Sequence, residues 1–418
     1  MIISPYFPPS NAADMHRVRT SLCYFNEFGW APEVVCIHEL YSEMVQDPLL
    51  LKSIPSNVPV HKVNAFPKTL TSKVGLGSIA IRSLWFYKRE VNRLLKKKSF
   101  NLVYFSTTQF PVCILGPYWK KKFGIPYIID MQDPWHSDYY QDKPKALRPK
   151  KYWFSYRLNK YLEGLALKKV DGLISVSEAY ITDLKNRYPE ITAVPAATIT
   201  FGGFSDDLKI ATNGLTGASL LDPGSINLVY AGRGGADMHP ALKVIFRALR
   251  AELKESPDVY RKLKLYFIGT SYAAAGTGEP SILPLARQYG LDLQVVEITD
   301  RVGYYQTLAT LQLADALLMP GSDDPKYTAS KIYPYLLTKK PLLAVFNGES
   351  SVIRIMKEYG VKSVFAYQST DTSRIRLFFR QLAHGSLPAP VYNPDAIARY
   401  SARQMTLSQC KLFDRVIK

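Results

Sequence analysis

An aspartate and a histidine flank the Pro-Trp pair that follows an apolar run at residues 126–131. Asp133 stands before a proline, which keeps the preceding residue out of the helical conformation, so its carboxylate is expected at the end of a strand. A carboxylate there could take a proton from a hydroxyl group as a general base, and His136 could share that role. An Asx turn is the alternative for Asp133, whereas Asp130 is expected to be buried and hydrogen-bonded.

A second group of candidate residues is cationic or small and suits the binding of phosphate. Arg233 lies in the segment AGRGGAD, whose glycines let the backbone approach a ligand closely. Lys331 stands at the start of a predicted helix, where an ammonium group and free backbone N–H groups suit a diphosphate. A plain surface loop at Arg233 and a solvated lysine at Lys331 are the alternatives. The phosphate-binding candidates are Gly232, Arg233, Gly234, Tyr327, Thr328, Ser330 and Lys331.

Several other chemistries lack their sequence signature. The AGRGGAD segment is neither a dinucleotide-binding pattern nor a Walker pattern. The six histidines are dispersed without a His-x-x-x-His pair, so we expect no metal site and no cofactor. No Gly-x-Ser-x-Gly element indicates a hydrolase. Four cysteines in 418 residues are too few for a disulfide scaffold and favour a reducing compartment.

Positive charge dominates the sequence. Lysine and arginine number 53 against 35 acidic residues, a formal charge of +18 that favours anionic partners. Nucleic acid is not expected, because no RRM, KH or helix-turn-helix signature is present. No stretch approaches 18 consecutive apolar residues, so no membrane-spanning helix is expected either.

Two basic segments are interleaved with aromatic residues. Residues 143–169 contain nine lysines and arginines with one glutamate, and residues 82–98 contain seven with one glutamate. Basic amphipathic helices with aromatic residues are typical of contact with an anionic membrane surface. The alternative is that the apolar stripe packs on the domain core and the charges are only solvated. This stripe consists of Phe154, Leu158, Tyr161 and Leu165, and the membrane-facing candidates are Lys150, Lys151, Trp153, Arg157 and Lys160.

Short β-branched runs alternate with helical patterns along the chain, which predicts parallel sheets covered by helices on both faces. The polar, glycine-rich residues 202–225 are the best candidate for a linker. We therefore expect two doubly wound Rossmann-like domains facing a central cleft, at residues 1–204 and 205–390. Residues 391–418 are expected to form a C-terminal helix that packs back on the N-terminal domain.

Four segments together resemble the GT-B glycosyltransferases, in particular the family-four-like enzymes of bacterial surface polysaccharide synthesis. The first two are SPYFPPSNAADMHRVRTSLCYFNEFGW and VYFSTTQFPVCILGPYWKKKFGIPYIIDMQDPW. The other two are GLISVSEAYITDL and YTASKIYPYLLTKKPLLAVF. They occur in the family's order and span about residues 1–346, so the resemblance covers most of the chain.

The resemblance implies metal-independent transfer of a hexosyl or related sugar from a nucleotide-sugar donor to a saccharide or lipid-linked acceptor. It also implies that the loop with Ser10 and Asn11, ahead of Arg17, faces the acceptor and the donor phosphate. A simple proline-rich turn is the alternative for that loop. The expected location is the cytoplasm, peripheral to the inner face of the plasma membrane.

The donor element departs from the family pattern at two positions. Many members carry two glutamates separated by seven residues, and Lys326 and Pro334 stand at those places here. The second glutamate usually holds the ribose hydroxyls, which proline cannot do. This difference motivates the alternative of a GT-B-like binding partner without activity. A sugar-nucleotide epimerase on the same twin domains is a further alternative.

Overall fold

The computed structural model divides into two compact units. Unit 1 comprises Met1–Gly202 and Ala402–Lys418, and unit 2 comprises Gly203–Ser401. The structure describes residues 1–71, 77–138, 141, 144–145, 148, 152–214, 219–325, 330–369 and 371–418.

Unit 1 is built on a parallel sheet with seven strands within the described ranges. The strands are β1 (Ile2–Ile3), β2 (Val34–Ile37), β3 (Val60–Val63), β4 (Val103–Ser106), β5 (Tyr127–Met131), β6 (Gly172–Ser175) and β7 (Ala196–Thr198). Their order across the sheet is β3-β2-β1-β4-β5-β6-β7, and every pairing is parallel. All five residues of β5 are buried, as expected for a parallel strand covered on both faces.

Six helices of unit 1 precede the second unit in the described part of the chain. They are α1 (Met15–Ser21), α2 (Lys68–Thr71), α3 (Ile79–Lys97), α4 (Leu115–Phe123), α5 (Tyr152–Leu167) and α6 (Glu178–Arg187). Short 3-10 helices lie at Asn26–Phe28, Glu39–Tyr41, Pro48–Ser53, Phe110–Ile114 and Pro189–Ile191. The sequence pattern predicts one helix over residues 14–28 and another over residues 109–123, and the 3-10 turns at Asn26 and Phe110 divide these two segments.

Unit 2 repeats the architecture with a six-stranded parallel sheet. Its strands are β8 (Ile226–Ala231), β9 (Leu263–Ile268), β10 (Val295–Ile298), β11 (Ala316–Pro320), β12 (Leu342–Phe346) and β13 (Val364–Ala366). The order is β10-β9-β8-β11-β12-β13. These two sheets confirm the predicted doubly wound α/β fold, and β7 and β13 are the strands that the sequence analysis missed.

The helices of unit 2 alternate with its strands. They are α7 (Asp206–Gly214), α8 (His239–Glu255), α9 (Pro257–Tyr260), α10 (Leu283–Gln288), α11 (Tyr304–Leu313), α12 (Ile332–Leu337), α13 (Ser351–Tyr359), α14 (Ser373–Ala383) and α15 (Pro394–Arg399), with a 3-10 turn at Ala236–Met238. Leu242, Ile245, Phe246 and Leu249 repeat at helical spacing along α8 and are buried in the core of unit 2. This packing fixes the start of α8 beside the end of β8.

Two predictions about helices need correction. The expected linker, residues 202–225, contains helix α7, because the carboxylate of Asp207 accepts hydrogen bonds of 2.8 and 2.9 Å from the hydroxyls of Tyr304 and Tyr305. These bonds tie α7 to α11, so glycine content alone misled the interpretation. Residues 393–417 are also two helices rather than one, since Tyr400 and Ser401 separate α15 from the last helix.

The last helix, α16 (Ala402–Ile417), packs on unit 1, so the predicted return of the chain is confirmed from residue 402 onward, whereas residues 391–401 with α15 belong to unit 2. Gln409 donates a hydrogen bond of 3.0 Å to Ser21 on α1. The ring of Phe413 packs against Phe25 and Trp30, and the indole of Trp30 donates to Asp414.

Each sheet contains one point where its strand order reverses. In unit 1 this switch point lies between β1 and β4, and in unit 2 it lies between β8 and β11. Ligands of open α/β sheets bind outside the carboxyl ends of the strands at such points. The loops that follow these four strands are therefore the places to examine for chemistry.

Candidate functional site

The loop after β8 brings a lysine and an arginine of unit 2 together. The Lys331 ammonium nitrogen lies 2.5 Å from the Tyr230 hydroxyl oxygen and 4.3 Å from the centre of the Tyr230 ring. The Tyr230 hydroxyl in turn donates a hydrogen bond of 2.7 Å to the carbonyl of Arg233. Tyr230 thus connects the two cationic residues that the sequence analysis proposed for phosphate.

Arg233 is held in a bidentate ion pair. Its two terminal nitrogens lie 2.9 and 2.6 Å from the carboxylate oxygens of Asp237, which also accepts 2.8 Å from the Ser322 hydroxyl. Burial acts to raise the pKa of Asp237, but the hydrogen bonds from Arg233 and Ser322 hold it below its usual range. Because Ser322 follows β11, Asp237 spans the switch point of unit 2.

The glycines of this loop stand where a side chain would collide with the site. A Cβ atom on Gly232 would lie 2.3 Å from the Lys331 ammonium nitrogen, and the φ angle there is +147°. A Cβ on Gly234 would lie 2.5 Å from the Ser281 hydroxyl. Glycine therefore allows the Lys331 side chain to pass directly beneath the backbone.

Lys331 differs from an ordinary surface lysine. Burial, and then the positive charge of Arg233, lower the pKa of Lys331 to about 7. The alternative of a solvated lysine is therefore wrong, and the amine is close to half protonated at neutral pH. A negatively charged ligand beside it would raise its pKa and complete the protonation.

The rest of the predicted donor element is described in part. Helix α12 begins at Ile332 with Lys331 at its N-cap, and the exposed Ser330 precedes it. Tyr327 and Thr328 lie outside the described residues. Pro334 lies inside α12, and Tyr335 of the same helix joins α12 to the backbone of Ala231 at the end of β8. The sequence analysis missed Tyr230, Asp237 and Ser322, although Asp237 is the acid of AGRGGAD itself.

In unit 1, Asp133 follows β5 as an exposed residue, and its carboxylate has no hydrogen-bond donor among the described residues. No Asx turn is formed, so the turn alternative is wrong. Protein atoms nevertheless crowd the carboxylate, and burial, with a smaller contribution from the charge of Asp14, raises the pKa of Asp133 to about 6. A carboxylate with such a pKa can exchange a proton near neutral pH.

Asp14 is a residue of this site that the sequence analysis missed. Only 3% of its surface is exposed, and its Oδ2 accepts 2.8 Å from the Thr107 hydroxyl and 2.9 Å from the Thr108 backbone N–H. Thr107 and Thr108 follow β4, so Asp14 spans the switch point of unit 1. The adjacent threonines after a predicted strand were the available signal.

His136 is buried rather than presented to solvent. Its ring is in contact with Tyr156, at 4.4 Å between centroids, and neither ring nitrogen has a hydrogen-bond partner among the residues that the structure describes. Burial, and then the charge of Arg187, lower the pKa of His136 to about 4, so the ring is neutral at pH 7. Its backbone N–H donates 3.0 Å to the buried carboxylate of Glu163, which is ion-paired with Arg187.

Arg17 lies on α1 and points into the protein. Its Nε lies 2.6 Å from an oxygen of Asp130, and its other nitrogens donate to the carbonyls of Ile199 and Thr200. Asp130 is fully buried and also accepts from Ser106, which confirms its expected role at the strand end.

The acceptor-side candidates Ser10 and Asn11 form a buried part of the loop after β1. The Ser10 hydroxyl accepts 3.3 Å from the side chain of Gln46, and the Asn11 backbone N–H donates 2.8 Å to the Val45 carbonyl.

Three of the four residues of the apolar stripe on α5 are exposed and Leu158 is half-buried, so most of the stripe does not pack on the domain core. The exposed fractions are 43% for Phe154, 68% for Tyr161 and 39% for Leu165, and Trp153 beside them is 66% exposed. The exposed Arg157 and Lys160 lie on the same helix, whereas Lys150 and Lys151 lie outside the described residues. Among the residues that the structure describes, no helix has the length and apolar character needed to cross a membrane.

No protein-family model matches this sequence. No curated protein matches it either.

Solved structures match the fold over nearly the whole chain. HepE from Anabaena, in complex with UDP and glucose, superposes with a TM-score of 0.58 at 14% identity, covering 99% of each chain. WaaG, a glycosyltransferase involved in lipopolysaccharide biosynthesis, gives a TM-score of 0.55 at 13% identity, covering 99% of each chain. A UDP-forming trehalose-phosphate synthase from Burkholderia vietnamiensis gives 0.55 at 10% identity, covering 100% of this chain and 97% of that one.

At this identity the likeness establishes fold. Together with the two parallel sheets, it shows the two-Rossmann-like-domain GT-B fold that the sequence predicts. Membership of the surface-polysaccharide group stays a prediction.

Proposed function

We propose that this chain is a glycosyltransferase that moves a sugar from a nucleotide-sugar donor to an acceptor hydroxyl. The observation that carries the proposal is the pairing of Lys331 with Arg233 at the switch point of unit 2, joined through Tyr230. The solved structures of HepE with UDP and with UDP-glucose support it, because they have the same fold with such ligands.

In the proposed reaction, unit 2 holds the diphosphate of the donor. Negative charge grows on the diphosphate as the bond to the sugar breaks, and cations at fixed positions stabilise that charge. Arg233 is held in place by Asp237, and Lys331 becomes fully protonated when the diphosphate binds. Within the described residues no three His, Cys, Asp or Glu side chains are grouped to hold a metal ion. Transfer without a metal is part of the proposal.

Asp133 is the proposed general base. Asp133 is an exposed residue whose carboxylate has no hydrogen-bond donor among the described side chains and has a pKa of about 6. It is therefore ionised at pH 7 and able to take the proton of an acceptor hydroxyl. His136 is neutral and buried, so it is better suited to packing beneath the loop that contains Asp133 than to direct proton transfer.

A panel of nucleoside diphosphates tests the donor site. We expect at least one of them to raise the melting temperature of the full chain, because a ligand that binds only the folded state stabilises it. The Lys331→Ala variant should lose this response, and Arg247→Ala, an exposed arginine of α8, should keep it. If no nucleoside diphosphate stabilises the wild-type protein, the binding-partner alternative is favoured.

We also propose that α5 binds an anionic membrane surface, which would place the enzyme at the inner face of the plasma membrane beside a lipid-linked acceptor. The exposed stripe of Phe154, Tyr161 and Leu165, flanked by Arg157 and Lys160, supports this proposal. Each basic residue near such a surface contributes on the order of 1 kcal/mol, and salt screens the attraction.

Co-sedimentation with liposomes tests the membrane proposal. Changing Lys150, Lys151, Arg157 and Lys160 to glutamine should greatly reduce binding to anionic liposomes at low salt. A matched control removes four exposed basic residues from α8 of unit 2: Lys243, Arg247, Arg250 and Lys254. Equal losses in both variants would show that net charge, not α5, determines binding, and no binding by the wild type would refute the proposal.

A further inference from the structure

Helices α3 and α5 contain the same short sequence element near their starts. Residues 85–89 (WFYKR) lie on α3 and residues 153–157 (WFSYR) on α5, so both have the pattern Trp-Phe-x-x-Arg. Trp85 is 52% exposed and Trp153 is 66% exposed. In each element the guanidinium of the arginine lies over the exposed indole, at 5.6 Å on α3 and 5.8 Å on α5 from the ring centre. The two helices therefore present a tryptophan and a cation to solvent in the same way.

The element on α3 lies on the face of the helix that the core does not use. Tyr87 and Val91 are fully buried on the inner face, whereas Trp85 points outward. The ring of Phe86 contacts Trp85 at 4.9 Å and Phe66 at 5.0 Å between centroids. Phe66 is itself 47% exposed. Aromatic surface is thus concentrated at one place on the outside of α3.

Helices α3, α4 and α5 lie on the same face of the sheet in unit 1. They belong to the connections β3–β4, β4–β5 and β5–β6, which all advance in one direction across the sheet. Right-handed crossovers place such helices on one face, and they place α1, whose connection β1–β2 advances the other way, on the opposite face. Helix α4 packs between α3 and α5, and α16 packs on α1. The two Trp-Phe-x-x-Arg elements therefore share one helical layer.

Hydrogen bonds show that both elements lie near the carboxyl ends of the strands. The guanidinium of Arg82 on α3 donates 2.8 Å to the carbonyl of Phe66, which follows the end of β3. On α5, the hydroxyl of Tyr156 donates 2.7 Å to the carboxylate of Asp138 in the loop after β5. That loop also contains Asp133, so the elements lie at the edge of the layer that adjoins the proposed base.

The layer is strongly basic. Helices α3, α4 and α5 contain eleven lysines and arginines and two glutamates, and Glu163 is buried. Beside Trp85, the exposed Lys88 and Arg89 add two cations to the aromatic surface. Tryptophan favours the interface between water and lipid, and clustered cations bind anionic head groups. An anionic membrane surface complements both properties.

We propose that residues 85–89 form a second contact with an anionic membrane surface, in addition to the contact on α5. The inference rests on the proposed function for the α5 contact and deepens it. One contact leaves unit 1 free to rotate on the membrane, whereas two contacts on one layer fix its orientation. The edge with Asp133 is then held beside the lipid head groups, where a lipid-linked acceptor presents its hydroxyl.

Quenching of tryptophan fluorescence by brominated lipids tests this contact in the full chain. The vesicles contain phosphatidylglycerol and phosphatidylcholine with bromine on the acyl chains, because bromine quenches tryptophans that enter the bilayer. Trp85→Phe and Trp153→Phe keep an aromatic ring, and each should remove about half of the quenched emission at low salt. Trp30→Phe is the control, since Trp30 packs against Phe413 of α16 on the opposite face. It should leave the quenched emission unchanged.

Charge variants give a second measurement. Lys88→Gln combined with Arg89→Gln should weaken binding to the same vesicles without bromine roughly 25-fold, because each basic residue near the surface contributes about fivefold. Lys411→Gln combined with Arg415→Gln removes the same charge from the exposed side of α16 and should change binding little. Equal melting temperatures show that the variants fold. Equal losses in the two double variants would overturn the inference, since net charge alone would then determine binding.

The quenching results separate this inference from the α5 contact of the proposed function. Quenching of Trp153 without quenching of Trp85 would overturn the inference and leave the α5 contact intact. Quenching of Trp85 without Trp153 would support the inference and refute the α5 contact, and quenching of neither would refute both. A dimer of the full chain that Trp85→Ser dissociates, with no quenching of Trp85, would assign the element to a second copy and also overturn the inference.

Discussion

The two switch points of this protein contain the same kind of hydrogen bond, but their electrostatic surroundings are opposite. In each unit, an aspartate that follows one strand at the switch point accepts a hydrogen bond from a hydroxyl group that follows the other strand. These strands are β1 and β4 in unit 1, and β8 and β11 in unit 2. The pairs are Asp14 with Thr107 in unit 1 and Asp237 with Ser322 in unit 2. In each unit, this hydrogen bond joins the two loops at the switch point.

The difference lies in what faces each aspartate. Asp237 is neutralised by Arg233, and Lys331 lies nearby, so the switch point of unit 2 suits an anion. Asp14 has no cationic partner among the described residues, and burial, followed by the charge of Asp14, raises the pKa of Asp133, so the switch point of unit 1 suits proton removal. Under the proposed function, the two switch points would divide the work of glycosyl transfer between them.

The largest expected effect is a loss of turnover without a loss of nucleotide affinity when the proposed base, Asp133, is replaced. Asp133→Asn keeps the size of the side chain but cannot take a proton, so we expect turnover to fall at least about 10²-fold. Nucleotide affinity, which depends on unit 2, should barely change. Steady-state kinetics with calorimetric titration of the nucleotide measure both quantities, and a parallel fall in affinity would make Asp133 a binding or structural residue.

Replacing the cationic residues of unit 2 should instead weaken the binding of the nucleotide. A charge-assisted contact to phosphate contributes roughly 1.5–3 kcal/mol, so Arg233→Ala and Lys331→Ala should each weaken nucleoside diphosphate binding about 10- to 100-fold. Calorimetric titration of each variant measures the loss, with the exposed Arg247→Ala as control. Unchanged binding in both variants would remove the donor site from this switch point.

Much of this fold follows from the sequence because buried parallel strands have a strong local signal. The apolar runs at residues 126–131 and 341–345 predict two strands, and β5 and β12 agree with them to within one residue at each end. Two of the elements that were missed have weak signals: β7 is three residues long, and α7 lies in a polar, glycine-rich stretch. Helix α14 was missed although Ile375, Phe378 and Leu382 repeat at helical spacing. Helix α7 is stabilised by tertiary contacts through Asp207, which no local pattern shows.

The candidate site was predictable at the level of single residues but not of pairs. Lys331 was proposed from its position at the start of a predicted helix, and Arg233 from its glycines and its position after a strand. The ion pair of Arg233 with Asp237 depends instead on how one loop folds on itself. Asp14 was missed because its partner threonines are more than ninety residues away in sequence. Partners across a switch point are set by sheet order, which the sequence alone did not give.

The low pKa of Lys331 predicts that nucleotide binding depends on pH in a way that Asp133 does not share. The free protein loses the Lys331 proton as the pH rises through about 7, whereas the complex keeps it because the diphosphate raises the pKa. Affinity should therefore fall above pH 7, by up to about tenfold per pH unit.

Calorimetry in buffers of different ionisation enthalpy should detect proton uptake on binding at pH 8. Lys331→Met removes the titrating group and should abolish the uptake that this group contributes, whereas Asp133→Asn should retain it. Binding without proton uptake by the wild type at pH 8 would show that Lys331 is already charged in the free protein.

The smallest expected effect is on thermal stability, where replacing Asp133 and replacing Asp237 should change the melting temperature in opposite directions. The folded protein holds the pKa of Asp133 above its unfolded value, so the ionised carboxylate is unfavourable to folding once the pH exceeds the unfolded pKa. Asp133→Asn should then raise the melting temperature at pH 7–8, and the gain should fade as the pH decreases from 6 to 4.

Asp237 has a pKa below its unfolded value, so its contribution to stability is present at neutral pH and is lost as the pH falls through the folded pKa. Asp237→Asn loses a charge-assisted pair and should lower the melting temperature at pH 7 by about 4 °C, with a smaller loss in acid. Thermal melts of both variants at pH 4 and 7.5 compare the two switch points directly. At pH 7.5 we expect the melting temperature to rise in Asp133→Asn and to fall in Asp237→Asn. If both variants change the melting temperature in the same direction, the two sites do not have opposite electrostatics.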